Sequence, residues 1–588
     1  MIQSPAGYQG DVRIKRYLDF YQAGYGVAML SSGVAFSPLS LFANGEPGGF
    51  YDFSDLSVMF QDAAGTTPVT AVEQPVGLVL DKSKGAPTLG SELISNGTFS
   101  SDLTGWSTGG TVTWNSGAAR IDATVAGNFL RQGFATTVGT MYRLVLSATI
   151  VSGSTNAQVY VGSTSGGLDV YFNSSVQGTL SVVFTAVSTT SFLTMRIGGG
   201  GASAGSIMDF DNVSVKAIPG SHLSQSTAAA RPVLSARVNL LTHTEDFSQG
   251  IWVKSFCTAS AMNVADPVGG NTASTITATA ASGFFYHNAS SATTTVSNSI
   301  WVRRRTGTGA IRFRTAAGGT DTDYSSSITS SWSLLTWQCT PSGGLNTFVI
   351  NLATSGDAID IWHPDCRPAN AGVGLPSYQR VGAATSGSST AAGNADYDSG
   401  PEWPRYLRFD GTDDSLSSAA IDFTSTDKMA VFAGMRKLSD ATSGAFVELS
   451  AVAFSNPGSF WLFAPGNVSG SPVAFDWLTR GNITYASSQP IAPSVATYPA
   501  PGTFVLTGTG DIAGDGKTLR VNGSQAATNS SDQGAGNFGN YPLFVGSRNN
   551  ASFRFSGNLY SLIVRGAATD AATITATETW VNGKTKAF

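Results

Sequence analysis

Short runs in which apolar and polar residues alternate fill most of the chain. TVTWN (111–115), MYRLVLSATI (141–150), LSVVFTA (180–186) and IMDFDNVSVKAI (207–218) switch face at every residue, with Gly, Ser and Asn between them. That is the pattern of half-buried strands joined by turns, and it predicts an antiparallel sandwich or jelly roll. A second series, SNSIWVRRR (297–305), SSWSLLTWQCT (330–340), NTFVINLAT (346–354) and AIDIWHPDCRP (358–368), reads as a divergent copy of the same architecture. A third comprises YLRFDGTDDSLSS (406–418), KTLRVNGSQAA (517–527), PLFVGSRNN (542–550) and FSGNLYSLIVRGAA (555–568). The tail TITATETWVNGKTK (573–586) is the best helix candidate. The expected fold is mainly β: tandem antiparallel β-sandwiches with a short N-terminal anchor and a short C-terminal helix.

Changes in composition place the boundaries. Residues 1–50 open with a charged aromatic patch, DVRIKRYLDFY (11–21), which suits one short helix, and then become rich in Gly, Ser and Phe. Residues 51–90 form a connector, 91–220 a first jelly roll, 221–385 a second, 386–399 a linker and 400–588 the last sandwich. The low-complexity run ATSGSSTAAGNADYDSG (384–400) is the clearest joint.

Charge narrows the function classes. The 588 residues carry 33 Lys and Arg against 38 Asp and Glu, a net charge of −5, and only 12% are charged, against about 25% in ordinary domains. Nucleic acid is excluded as the main partner, because neutralising phosphates takes clustered cations. There are 31 Asp but 7 Glu, a balance that favours turns over helices. The 33 Phe, 17 Tyr and 11 Trp suffice for several cores. Cys257, Cys339 and Cys366 are an odd set without CxxC, so neither a disulfide framework nor a zinc site is signalled. No secretory signal is expected at the N-terminus. The uncharged stretch 20–43 is interrupted by Gly, Gln, Ser and Pro38, so no membrane span is expected.

GGFYDFSDLSVMFQDAAGTTPVTAVEQPVGLVLDKSKG (48–85) resembles a short module of virion-associated proteins of tailed bacteriophages. The match runs through Asp52, Asp55, Leu56, Phe60, Gln61, Asp62, Gly65, Pro68, Val69, Pro75, Val76, Gly77, Asp81 and Ser83, and it carries no chemistry of its own. NGTFSSDLTGW (96–106) and the closing DFDNVSV (209–215) resemble carbohydrate-binding-module jelly rolls appended to glycoside hydrolases and phage fibres, and NLLTHTEDFSQGIWVKS (239–255) resembles the entry of another phage jelly roll. The third series resembles concanavalin-A-like and laminin-G-like sandwiches in strand order. These resemblances imply a virion protein on the particle exterior, a tail or head fibre that attaches to host surface glycan. They imply docking to other virion proteins through residues 1–50 and a homo-oligomer, a trimer. The rival readings are a glycan hydrolase or depolymerase with binding modules and a passive capsid decoration protein.

Sugar binding needs rings on which apolar sugar faces stack, with amides or carboxylates nearby. Trp114, Tyr160 and Tyr171 in the first jelly roll, and Trp461, Trp477 and Tyr485 in the last sandwich, lie in or beside strand runs with polar neighbours. Core packing is the alternative for each, and Trp106 and Trp252 are expected in the core. Asp209 and Asp211 are candidates for a structural calcium ion, with a plain turn or surface role as the alternative. A glycosidase needs two carboxylates facing each other across the sugar. The candidates are Glu402, Asp410, Asp413, Asp414 and Glu448, but the ExDxxE strand motif of concanavalin-like hydrolases is missing, and Asp410 in FDGTDD reads as a turn. His222, His243, His287 and His363 stand apart, with no GxSxG elbow, so no catalytic residue is assigned.

Overall fold

Strands from both ends of the sequence build one sandwich. The computed structural model describes residues 36–588 except 86, 124–127, 154–155, 198–204, 289–294, 317–318, 341–345, 369–377, 384–396, 401, 452–455 and 484–489. The expected helix at 11–21 and most of the N-terminal anchor lie outside the described residues. The chain divides into two units, Met1–Ser37 and Pro38–Phe588, and all that follows concerns the second.

Gly48–Asp52 pairs antiparallel with the last strand, Ser556–Arg565, from Gly48 opposite Arg565 to Asp52 opposite Ser561. Tyr406–Asp410 takes the other half of the same edge, from Leu407 opposite Leu559 to Asp410 opposite Ser556. The sheet continues on the far side through Lys428–Lys437, Gly502–Asp511, Gly516–Val521 and Ser524–Asn529. The facing sheet runs Met59–Phe60, Leu78–Val79, Leu223–Ser224, Leu416–Asp422, Asn540–Val545, Ala445–Leu449, Phe460–Phe463, Asp476–Thr479. Residues 51–90 are therefore not a free connector: this segment and residues 221–236 are strands of the C-terminal sandwich, here called the hub. Sequence reading separated them because their strands are two or three residues long and most of their partners lie far along the chain, as Ser224 opposite both Leu78 and Ser417 shows.

The two jelly rolls are insertions into the hub. In the first, one sheet is ordered Ser107–Gly109, Phe129–Ala135, Thr190–Ile197, Ala157–Gly162, Tyr171–Val176, and the other Thr111–Asn115, Ala118–Asp122, Ile207–Ile218, Met141–Ser152, Gly178–Thr185. The second repeats this order strand for strand from Trp252–Ser255 to Ala358–Pro368. Trp106 and Trp252 open the two cores as expected. Each is buried, and each donates from Nε1 to a carbonyl ten residues upstream, Asn96 and Thr242 respectively.

Segment 48–85 acts as mortar. Asp62 accepts from the N–H groups of Thr66 (3.0 Å) and Thr67 (2.8 Å). Gly77 lies so close that a Cβ there would sit 2.8 Å from the Asp62 backbone. Asp81 is wholly buried and gathers the N–H groups of Phe50, Ser83 and Ser221, while its own N–H donates to His222 Nδ1 at 2.9 Å. This knot closes the base of the first jelly roll.

Most of the expected linker, 386–396, lies outside the described residues. Val381 bridges to Tyr397, and Asp398 N donates to the Arg380 carbonyl at 3.0 Å, so the two flanks of residues 384–396 pair with each other. Tyr397 and Trp403 then pack with Val72, Ala236 and Val381 in a small core between hub and second jelly roll. These flanks fasten the two bodies together.

The C-terminal helix, Ala571–Thr585, starts where Asp570 accepts from Thr573 N at 2.9 Å. It lies on the hub's first sheet, with Thr585 over Gly434, where a Cβ would come within 1.9 Å of Thr585 Oγ1. Among the described residues no helix is long and apolar enough to cross a membrane.

Candidate functional site

The first jelly roll carries a row of chemistry across one whole sheet. In Ala157–Gly162 and Thr190–Ile197, Val159, Val161, Leu193 and Met195 belong to the core. Alternation therefore turns Gln158, Tyr160, Phe192, Thr194 and Arg196 outward. Registered neighbours across the five strands are Ser107, Arg131, Thr194, Tyr160 and Phe172. Beside this row Phe192 stands between Gly133 and Gly162, and a Cβ on Gly133 would lie 2.9 Å from its ring. The ring thus lies low over a glycine trough.

Polar groups fix the rings. Arg131 donates from Nε to Thr194 Oγ1 and from Nη1 to Ser165 Oγ, both at 2.9 Å, and its guanidinium sits 4.4 Å from the centre of the Phe129 ring. Arg196 donates to Gln158 Oε1 at 2.7 Å and reaches over Tyr160. Phe172 is 48% exposed. The hub packs against the opposite sheet, where Met141 and Val183 join the hub core and Val183 N donates to the Ala64 carbonyl at 2.6 Å. The aromatic face is thereby turned away from the hub.

The six rings singled out from sequence fall in different places. Tyr160 belongs to this face, though it is 5% exposed and props its neighbours. Tyr171 turns inward against the core; its neighbour Phe172 is the outward ring, a parity that a short strand with a bulge after Asn173 conceals. Trp114 is 44% exposed on the edge strand of the opposite sheet, its Nε1 donating to the Phe99 carbonyl at 2.6 Å. Trp477 is a core residue of the hub: it is fully buried over Gly508 and donates to the Thr509 carbonyl. Trp461 is 1% exposed on the wall of a hub cleft. Tyr485 lies outside the described residues. Phe129, Arg131, Phe172, Phe192 and Arg196 were not anticipated, and the glycines opposite two of these rings were the available signal.

Asp209, the candidate calcium ligand, receives Arg120 Nε and Nη2, both at 2.8 Å, an ion pair that suits its alternative structural role. Asp211 accepts from Asn212 N and Nδ2. Asp410 caps its own turn, accepting from the N–H groups of Thr412 and Asp413. His287 is enclosed beside Trp252, and burial pushes its pKa down to about 4. His363, stacked between Trp362 and Tyr378, is likewise pushed down to about 4 by burial. The three cysteines are buried and free.

No family model matches the chain, and no curated protein does. Among solved structures, the CBM22-1–CBM22-2 tandem domain of Paenibacillus barcinonensis Xyn10C is 11% identical, covering 48% of this chain and 99% of that one at a TM-score of 0.22. The botulinum neurotoxin serotype G binding domain is 10% identical, covering 36% and 47% at 0.23. Trypanosoma rangeli sialidase is 10% identical, covering 30% and 27% at 0.22. With TM-scores this low, none of them identifies a family.

Proposed function

We propose that this chain is a glycan-binding structural protein of a tailed-phage virion, a fibre whose first jelly roll holds host surface polysaccharide. The observation that carries the binding is the outer side of that domain's aromatic sheet, where Arg131, Phe172 and Phe192 stand accessible over the buried Thr194 and Tyr160. Accessible rings such as Phe172 and Phe192 offer stacking surface, and guanidinium and amide groups among them meet sugar hydroxyls. The virion role rests on the resemblance of residues 48–85. A homotrimer suits a fibre, since repeated weak sites gain avidity; light scattering of the full chain tests it.

The hydrolase reading needs a carboxylate pair. Glu448 is fully buried and bound to Arg548 at 2.6 Å. Among the described residues lining the hub cleft, Asp476 is the one carboxyl group. This supports binding over cleavage, and an assay for reducing sugar released from envelope polysaccharide is the check. For the proposal itself, particles lacking the protein should adsorb poorly to host cells. Particles carrying Phe172→Ala together with Arg131→Ala should assemble normally yet adsorb like the deletion. Normal adsorption by both would overturn it.

A further inference from the structure

The hub has a cleft of its own above the outer face of its second sheet, lined by none of the jelly-roll residues described above. Its volume is about 630 Å³, within the range of small-molecule sites. One wall is the adjacent pair Phe463 and Asp476, registered partners on neighbouring strands, with Trp461 one step along. The other wall is the turn after Asn540–Val545, which brings Arg548, Phe553 and Arg554 over the sheet.

Three rings surround Arg548: its guanidinium lies 5.4 Å from the Trp461 ring centre, 4.8 Å from Phe463 and 4.9 Å from Phe553. Glu448, behind the wall, meets its charge at 2.6 Å. This internal cation fills the aromatic cage and stiffens it, so a ligand meets the rim. There Phe553 is 41% exposed. Asp476 accepts from Trp461 Nε1 at 3.2 Å, and Asn467 Oδ1 accepts from Gly470 N, which leaves its Nδ2 to donate. Thr442 and Ser443 add hydroxyls.

We infer that this cleft is a second carbohydrate site, taking a neutral hexopyranose stacked on Phe553 with its hydroxyls on Asp476, Asn467, Thr442 and Ser443. The charge balance sets the class. Arg548 is matched by Glu448. Arg554 donates to the carbonyls of Asp413 and Asn550 beside the acidic turn Asp410, Asp413 and Asp414. Both cations among the described residues lining the cleft are thus engaged within the protein, Arg548 by a carboxylate and Arg554 by carbonyls next to an acidic turn, which disfavours an acidic sugar.

The test uses the full chain labelled with 5-fluorotryptophan, the Trp461 fluorine resonance being assigned through Trp461→Phe. The probes are the methyl glycosides of glucose, galactose and mannose, with glucuronate as the acidic comparison, each at tens of millimolar. At least one neutral glycoside should move the Trp461 resonance, and glucuronate should not. Phe553→Ala, an exposed site, should weaken the response by about tenfold, while Phe172→Ala in the jelly roll should leave it unchanged. A Trp461 resonance unmoved by every neutral glycoside, moved by glucuronate instead, or equally responsive in Phe553→Ala overturns the inference. The jelly-roll reading stands or falls separately, on polysaccharide binding by the Phe172→Ala chain.

Discussion

Arg565 donates from Nη2 to Glu46 Oε1 at 2.9 Å, an ion pair that ties the last strand of the hub to a residue just ahead of its first, across 519 positions of sequence. Arg565 Nε also donates to the Leu41 carbonyl at 2.8 Å. The N-terminal strand is thus part of the hub's sheet, and truncation should show it. A chain beginning at Ser37 keeps Gly48–Asp52 and should melt with the full chain. One beginning at Phe53 loses all five registered pairs with the last strand and should melt lower in calorimetry. Equal melting of the two would show that the pairing is dispensable.

Truncation from the other end should be harsher. A chain stopped after residue 385 retains Met59–Phe60, Leu78–Val79 and Leu223–Ser224 but loses every longer strand they join. It should resist proteolysis only within residues 91–218 and 239–383. Protection of residues 48–85 in that fragment would mean that the module folds without the hub.

The buried Glu448–Arg548 pair is a structural element. Removing one partner strands the other's charge in the interior, so Glu448→Gln should cost about 3 kcal/mol in urea unfolding. Replacing both with apolar residues of similar volume, Glu448→Leu with Arg548→Met, should cost less than either single change. A double variant as unstable as the sum of the singles contradicts this.

Two hub carboxyls make stability fall as pH rises. Burial pushes Asp476 from the ordinary 3.8 up to about 7, against the pull of Trp461 Nε1 and Arg548. Burial, with the repulsion of Asp410, raises Asp414 to about 7 as well. Between pH 4 and pH 7 the folded chain holds protons that the unfolded chain has released. Their contribution is therefore full at low pH and is lost as pH approaches 7. For Asp476 that is at most roughly 4 kcal/mol. Asp476→Asn should flatten the decline in urea-derived stability between pH 5 and 7; an unchanged slope would place the titration elsewhere.

Local pattern revealed which segments are strands, because alternation and turn residues act over a few positions. It also revealed that the two jelly rolls are copies, as Trp106 and Trp252 confirm by bonding ten residues upstream in both. Partner choice was not legible: nothing near Phe50 states that Ile563 lies opposite. The proposed face was half legible. Tyr160 lies on it, but the sequence points to Tyr171 rather than Phe172, because ring identity says nothing of which face a ring occupies. Trp461 and Trp477 drew attention as large aromatics in strands, and burial on folding removed both from the exposed surface.

The central claim is that polysaccharide is held on the outer sheet of the first jelly roll. Its most direct test is calorimetric titration of host envelope polysaccharide into the full chain and into the triple variant Arg131→Ala, Phe172→Ala, Phe192→Ala, with matched melting curves as the folding control. The account predicts saturable heat for the native chain and a loss of affinity of at least about tenfold in the variant. Equal binding by a folded triple variant would contradict it.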